Sequence, residues 1–201
     1  MIITIARQYG CGALQVAQCL ASRLGLTLYT RRMLFDMARR RGLDAELGGF
    51  MDEEPVDNLL IALNDSGQAP PELTERLHHH FKGLIGSEHC VVVGRCGNSL
   101  FAHRSDLVSV FLKAPFEARV AATAAAEDLT PHEAVRLVRD TDERRAAYHH
   151  YYTGLTWGAA ADYDLCLDAL RLGPQATAAL IEAYARHTLP ATAWPHPAAS
   201  R

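Results

Sequence analysis

The apolar positions of the chain fall into short runs that alternate with stretches of helical periodicity. The runs lie at residues 2–6, 26–29, 90–94, 107–112 and 163–169, and their near-continuous apolar character is typical of strands covered on both faces. Helical spacing follows over 13–24, over 30–41, from Pro115, from Thr130 towards Gly154, and over 174–187. Strands that alternate with helices predict an α/β fold, a three-layer sandwich built on a five-stranded parallel sheet.

Several helix boundaries are marked by residues that stabilise helix ends. Thr30 is placed to cap the helix that follows it, and Gly25 and Gly42 stand where two helices should stop. Thr130 and Glu133 have the spacing of a capping box, with a proline at the first helical position between them. These signals support the helix assignments independently of the apolar spacing.

Residues 43–87 differ from the rest of the chain in their pattern of polar and apolar residues. Acidic and polar turns separate two helical patterns, at 56–63 and 72–86, which predicts a helical insertion that serves as a lobe for an acceptor substrate. With this insertion, residues 1–188 form one domain. The remaining segment, 189–201, is rich in proline and alanine and is expected to be a loose tail.

Composition excludes several classes of protein. The 201 residues carry a formal charge of −3, so no basic excess favours nucleic acid or an anionic membrane, and no apolar run is long enough to span a bilayer. The five cysteines are scattered without a paired spacing and fit reduced thiols, and the start lacks the pattern of a secretory signal. We therefore expect a cytoplasmic globular protein with no nucleic-acid or membrane partner. The sequence gives no indication of its oligomeric state.

The basic residues are almost all arginines. Of the 20 lysines and arginines, only Lys82 and Lys113 are lysines, a bias that a GC-rich genome alone could produce. Any anion site in this chain must therefore use arginine side chains and backbone amides.

A glycine-containing loop, RQYGCGALQV, connects the first predicted strand to the first helix. Gly10 and Gly12 let a backbone approach an anion closely, as phosphate-binding loops require. The full phosphate-loop pattern is G-x-x-x-x-G-K-[ST], and only Gly12 matches it here; Arg7, Ala13 and Leu14 take the other diagnostic positions. Taken alone, the loop is equally well interpreted as a plain strand-to-helix turn.

Five separated segments together resemble the cytidylate-kinase-like family, in order and spacing over about residues 2–185. The resemblance implies the nucleoside-monophosphate-kinase type of phosphate-loop NTPase fold, ATP as donor, Mg²⁺ as cofactor, a small nucleotide as substrate and an arginine-rich lid over 139–160. It also implies that the loop, from Arg7 through Gly10, Cys11, Gly12 and Ala13, holds the donor phosphates. The segments are IITIARQYGCG, LYTRRML, VVVGRCGNSL, DERRAAYHHYYTGLTWG and YDLCLDALRLG.

The predicted lid contains the candidate catalytic residues. Asp142 and Arg145 match a D-x-x-R element of the family, and Arg139 matches an arginine just before it, so the resemblance implies that they close over the phosphates. Arginine suits that role because its planar fork pairs with phosphate oxygens. The alternative is a solvated helix face with pairs within the helix.

The predicted acceptor contacts follow the second and third strands. Thr30 or Arg31 stands at the end of one, and Arg95 follows the other in a position that reads G-R-D in cytidylate kinases. Cys96 replaces that aspartate, which leaves the cytidine specificity open. For Arg95 the alternative is a surface ion pair.

The loop departs from the family at two further positions. Relatives carry Gly-Arg after the second loop glycine, where this chain has Ala13-Leu14, so a cation near the phosphates and any hydroxyl for Mg²⁺ are missing. Arg7 could supply the cation, and Gln15 offers a weak oxygen. Three functions remain open: transfer of phosphate from ATP to a CMP- or dCMP-like acceptor, nucleotide binding with weakened catalysis, and phosphorylation of a non-nucleotide small molecule.

Three other features are interpreted as structural rather than functional. His78, His79 and His80 are expected to be a solvated helical stretch, and we expect no metal held by side chains. The histidines and tyrosines of 148–152 are expected to pack within the lid. Cys11 lies near a helix N-terminus, which could lower the pKa of its thiol, although no base stands beside it.

Overall fold

The computed structural model describes residues 1–43, 47, 50, 67–85 and 89–194. Its sheet has five parallel strands in the order β2-β3-β1-β4-β5. All five predicted strands are confirmed, and β1 lies at the centre, with Ile3 beside Val91 of β3 and Val108 of β4. The strands are β1 (Ile2–Arg7), β2 (Thr27–Tyr29), β3 (Cys90–Val93), β4 (Leu107–Lys113) and β5 (Leu165–Asp168).

The described helices follow the predicted periodicity, with two additions. α4 and α7 have four residues each, which is too short for an apolar repeat to show in the sequence. The predicted helix at 56–63 lies outside the described residues, and the one at 72–86 is α3. The helices are α1 (Ala13–Leu24), α2 (Arg31–Arg40), α3 (Pro71–Leu84), α4 (Gly97–Leu100), α5 (Phe116–Glu127), α6 (Pro131–Thr153), α7 (Ala169–Leu172) and α8 (Pro174–Thr188).

Two of the predicted helix caps have the expected hydrogen bonds. Thr30 Oγ1 accepts from the Met33 amide at 3.4 Å at the start of α2. At the start of α6, Thr130 Oγ1 accepts from the Glu133 amide at 3.3 Å, and the Glu133 carboxylate accepts from the Thr130 amide at 2.9 Å. The long helix α6 therefore begins at a fixed point, which sets the positions of its later side chains.

The core is divided by the sheet into two apolar layers. Because alternate side chains of a strand point to opposite faces, β1 places Ile3 and Ile5 with α1 and α8 and Ile2 with α2, α3 and α6. The second layer also buries Tyr148, with its hydroxyl donating to the Phe50 carbonyl at 2.9 Å. No helix in the described ranges has the length and apolar character to cross a membrane.

The first part of the predicted loose tail is folded. Residues 191–193 form a turn of 3₁₀ helix, Ala193 is buried, and Leu189 and Trp194 pack against the first core layer. The Arg186 guanidinium lies 4.7 Å from the centre of the Trp194 ring. The Trp194 ring and the Arg186 cation therefore hold residues 189–194 against α8; residues 195–201 lie outside the described residues.

Candidate functional site

The loop between β1 and α1 has two glycines in the left-handed region. Gly10 has φ +74° and Gly12 has φ +77°. At Gly10 a Cβ would also lie 2.5 Å from Thr123 Oγ1 and 2.8 Å from the Arg119 carbonyl oxygen, whereas at Gly12 the nearest atom would be 3.7 Å away. Gly10 is therefore required for both conformation and space, and Gly12 for conformation alone.

The N-terminus of α1 is open towards this loop. Gly12 is its N-cap and has no side chain to cap it, and the first turn of α1 contains no acidic residue. The first amides of a helix lack partners within the helix, and the helix dipole favours negative charge at that end. This loop and helix end can therefore bind an anion such as phosphate.

The loop is held from outside by a largely buried ion pair. The Tyr9 amide donates to Asp142 Oδ1 at 2.8 Å, and Arg119 Nη1 donates to the Tyr9 carbonyl at 3.0 Å. Arg119 Nη1 also donates to Asp142 Oδ2 at 2.6 Å, and Arg119 Nε to the Ala114 carbonyl at 3.1 Å. The Asp142 carboxylate, predicted to face the phosphates, thus holds the loop backbone.

Arg119 belongs to none of the sequence motifs. It is 4% exposed and lies on α5, a helix composed mostly of alanines and other small or apolar residues. A lone arginine on the buried side of such a helix is the signal that could have identified it, since a buried guanidinium needs several hydrogen-bond acceptors.

Arg145, predicted to close over the phosphates, contacts the loop. Its Nη1 donates to the Arg7 carbonyl at 3.2 Å, and its guanidinium lies 5.5 Å from the centre of the Tyr9 ring. The Tyr9 hydroxyl in turn donates to the Glu127 carboxylate. Burial and this carboxylate raise the pKa of Tyr9 to about 12, so the phenol is neutral at physiological pH.

Arg139 is not brought to the same place. It is exposed on α6, with its guanidinium 5.2 Å from the centre of the Phe116 ring. The six-residue step from Arg139 to Arg145 corresponds to about 9 Å of helix, which separates the two side chains. Arg139 is not among the described residues that line the large cavity beside the loop.

A cavity of about 1140 Å³ opens at the carboxyl edge of the sheet, beside the loop. Its lining includes four arginines, Arg7, Arg31, Arg32 and Arg145, and one carboxylate, Glu127. This excess of positive charge in a concave site attracts anions. Arg31 and Arg32 come from α2 and line the cavity together with Thr30, while Leu170 and Pro174 form an apolar wall near the glycine loop.

The unusual loop residues point in different directions. Ala13 is buried, while Leu14 is 47% exposed and lines the cavity, so α1 contributes an apolar side chain to the cavity beside the loop. Cys11 points into the core, with Sγ donating to the Leu112 carbonyl at 3.5 Å. Burial raises the pKa of its thiol to about 11, so the expected lowering by the helix N-terminus is wrong.

Arg95 is fully buried, so its interpretation as a surface ion pair is wrong. It follows β3 in a run of left-handed residues, with φ +82° at Gly94, +61° at Arg95 and +52° at Cys96. A left-handed non-glycine residue costs about 1–2 kcal/mol, which the surrounding structure must offset. This turn places Arg95 in the lining of a separate cavity of about 20 Å³, which Arg7 and Arg145 share.

His149 also lines this small cavity. The side chain is 3% exposed, and burial, which outweighs the nearby Asp162 carboxylate, lowers the pKa of the imidazole to about 4. His149 is therefore neutral near pH 7 and adds no charge to the three arginines beside it.

The domain combines a parallel α/β sheet, a glycine loop and an open helix N-terminus that faces an arginine-lined cavity. These features define its class of protein, which has a fold of the nucleoside-monophosphate-kinase type. The model of the cytidylate kinase-like family matches residues 2–170, and the chain belongs to this family. A cytidylate kinase from Sulfolobus acidocaldarius is 25% identical over 184 residues, which cover 90% of this chain and 92% of that protein. Family membership indicates a nucleotide kinase.

A solved structure has the same fold. The crystal structure of an uncharacterized protein from Eubacterium ventriosum superposes with a TM-score of 0.71 at 22% identity. The match covers 93% of this chain and 98% of that one, so the fold similarity extends over nearly the whole domain.

Proposed function

We propose that this protein transfers the γ-phosphoryl group of ATP to a nucleoside monophosphate, most simply CMP or dCMP. The observation that supports this most strongly is the open N-terminus of α1, next to a cavity lined by four arginines and one carboxylate. Phosphoryl transfer needs mainly the alignment of two anions and the neutralisation of spreading negative charge. An acceptor phosphate oxygen attacks the γ-phosphorus while the bond to ADP breaks.

The donor end of the proposed site is the glycine loop. The amides from Gly10 to Gly12 hold the β- and γ-phosphates, and Arg145 reaches the transferring group from α6. Arg7 supplies a second cation from the end of β1, and the apolar wall at Leu170 fits the donor base. Arg139 was predicted to act with Arg145, but its contact with Phe116 makes its contribution the smaller one.

Mg²⁺ is the cofactor that the family generally uses with ATP, and when bound it would neutralise charge on the donor phosphates. Within the described ranges, no group of three or more histidines, cysteines or carboxylates is placed to hold a metal ion. Gln15 Oε1 lies near the loop, 3.9 Å from the position that a Cβ on Gly12 would take. In our proposal phosphate oxygens and water, with at most this amide oxygen from the protein, would hold Mg²⁺.

The acceptor end is formed by Thr30, Arg31 and Arg95. Arg31 is exposed at the cavity, where it can reach an acceptor phosphate, whereas Arg95 is fully buried and requires neighbouring side chains to move. Cys96 stands where cytidylate kinases have an aspartate, which keeps a non-nucleotide acceptor as an alternative.

A second candidate function is nucleotide binding with weakened turnover. The observation that favours it is Leu14, an exposed apolar side chain at the donor phosphates where relatives carry arginine. A hydrogen bond to a charged group contributes about 1.5–3 kcal/mol, so this loss alone corresponds to roughly ten- to hundredfold in rate or affinity.

Calorimetry with Mg-ATP, followed by an assay of ADP release over CMP, dCMP, UMP, AMP and GMP, tests these candidates. We expect donor binding and release with a pyrimidine monophosphate. Binding without release under any acceptor would favour the binding module or a non-nucleotide acceptor, and no binding would refute the proposal. The double change Ala13→Gly, Leu14→Arg distinguishes further: new turnover indicates a weakened kinase, and no change indicates that Arg7 already compensates.

A further inference from the structure

We propose that Arg119 and Asp142 are positioning residues for the donor: together they clamp Tyr9 from both sides and so fix the amides of Gly10–Gly12. This inference rests on the proposed function, because it concerns how the donor phosphates are held. It assigns to Asp142 a role different from contact with the reacting groups, and it adds a residue, Arg119, that the family resemblance did not supply.

The clamp engages both backbone polar groups of Tyr9. Asp142 accepts from the Tyr9 amide at 2.8 Å, and Arg119 donates to the Tyr9 carbonyl at 3.0 Å. The next residue, Gly10, approaches α5 so closely that a Cβ would lie 2.8 Å from the Arg119 carbonyl. The backbone entering the glycine turn is thus fixed by two hydrogen bonds and one tight packing contact.

Charge explains why the two residues must act together. A carboxylate beside a phosphate-binding loop repels the phosphates unless a cation neutralises it. Arg119 lies 2.6 Å from Asp142, and both side chains are largely buried, with 5% and 17% exposure. Removal of either partner leaves the other charge buried without compensation. The pair therefore anchors the loop without adding net charge to the site.

The clamp also links the loop to the predicted lid. Asp142 and Arg145 are three residues apart and lie on neighbouring turns of the same face of α6, so both project towards the loop. Arg119 joins α5 to the same point, and its Nε bond to the Ala114 carbonyl fixes it to the end of β4. Donor binding should therefore depend on the clamp more than acceptor binding does.

Calorimetry on four variants tests this inference: Asp142→Asn, Asp142→Ala, Arg119→Lys and, as a matched control, Asp140→Asn. Asp140 is exposed on the same helix. We expect Asp142→Ala to weaken Mg-ATP binding about ten- to hundredfold, and Asp142→Asn less, because its amide oxygen still accepts from the Tyr9 amide. CMP binding and the control should change by no more than about twofold.

The outcomes separate the clamp from the proposed function and from general unfolding. If the Asp142→Ala protein does not fold, the milder Asp142→Asn and Arg119→Lys proteins decide the matter. Equal weakening of Mg-ATP and CMP binding, or effects no larger than those of Asp140→Asn, would overturn the clamp while leaving the kinase proposal intact. A wild-type protein that binds CMP but not Mg-ATP would overturn both.

Discussion

Gly10 is the position where a single added methyl group should be most informative. Alanine there must adopt φ +74°, and its Cβ would meet Thr123 Oγ1 at 2.5 Å and the Arg119 carbonyl at 2.8 Å. A rotation of Thr123 relieves the first contact, but the second involves the backbone of α5, which no side-chain rotation can move. The Gly10→Ala substitution therefore combines a conformational cost with a steric one.

Two other glycines separate these costs. A methyl group added at Gly25, at φ +63°, would have no atom within 4 Å, and one added at Gly12, at φ +77°, would have its nearest neighbour at 3.7 Å. Alanine at either should cost about 1–2 kcal/mol for the left-handed conformation alone. At Gly10 the overpacking adds about 1–3 kcal/mol. The entropy that alanine removes from the unfolded chain is common to all three and cancels in the comparison.

Urea unfolding of the three variants measures these differences. We expect Gly10→Ala to lower the free energy of unfolding by more than Gly25→Ala, with a gap of about 1–3 kcal/mol and an unchanged m-value. Gly12→Ala should match Gly25→Ala in stability while weakening Mg-ATP binding. If Gly10→Ala is no less stable than Gly25→Ala, the tight approach of the loop to α5 is refuted.

Three further predictions concern the other parts of the site. Because burial lowers the pKa of His149 to about 4, the unfolded chain binds a proton there first, so stability is lost as the pH falls from about 6.5 to about 4. In urea unfolding, the wild-type protein should lose about 3 kcal/mol of unfolding free energy over this pH range, and His149→Gln should remove that loss. A variant with the wild-type pH dependence would contradict this prediction. In the ADP-release assay, Arg145→Ala should lower kcat/KM about ten- to hundredfold and Arg139→Ala less, and the reverse order would contradict the placement of these arginines. Iodoacetamide at pH 8 should label Cys19 before Cys11, since burial raises the pKa of Cys11 to about 11; early labelling of Cys11, detected by mass spectrometry, would show that its thiol is accessible.

The sheet could be predicted from the sequence because its strands are continuous apolar runs. Residues 90–93 are buried on both faces, and such a run has few alternatives to a central strand. The short helices α4 and α7 could not be predicted, because four residues do not complete enough turns to show a period. The turn at Arg95 was equally hidden, since its left-handed arginine is held by surrounding structure rather than by local preference.

The candidate site was predictable where one segment carries the signal. The glycine loop and Arg145 belong to motifs that can be read along the chain, and the structure brings them together. Arg119 could not be found in this way, because its partners Tyr9 and Asp142 are 110 and 23 residues away in the sequence. The pKa of the Cys11 thiol was predicted to shift in the wrong direction, because the sequence does not reveal that its side chain points into the core.

The distribution of the arginines bears on whether the altered loop still functions. In a standard phosphate loop one lysine on the loop itself supplies the cation, so its loss is severe. Here the cavity receives Arg7 from β1, Arg31 and Arg32 from α2, and Arg145 from α6, so positive charge converges from three separate elements. In the proposed site Arg7 and Arg145 both face the donor phosphates, so the absence of a cation at Leu14 removes only one contribution among several. Arg7, at the end of the central strand, is the closest in sequence to the loop, and its replacement by methionine should therefore weaken Mg-ATP binding more than the same change at Arg32. Equal effects in calorimetry would show that Arg7 does not compensate for Leu14.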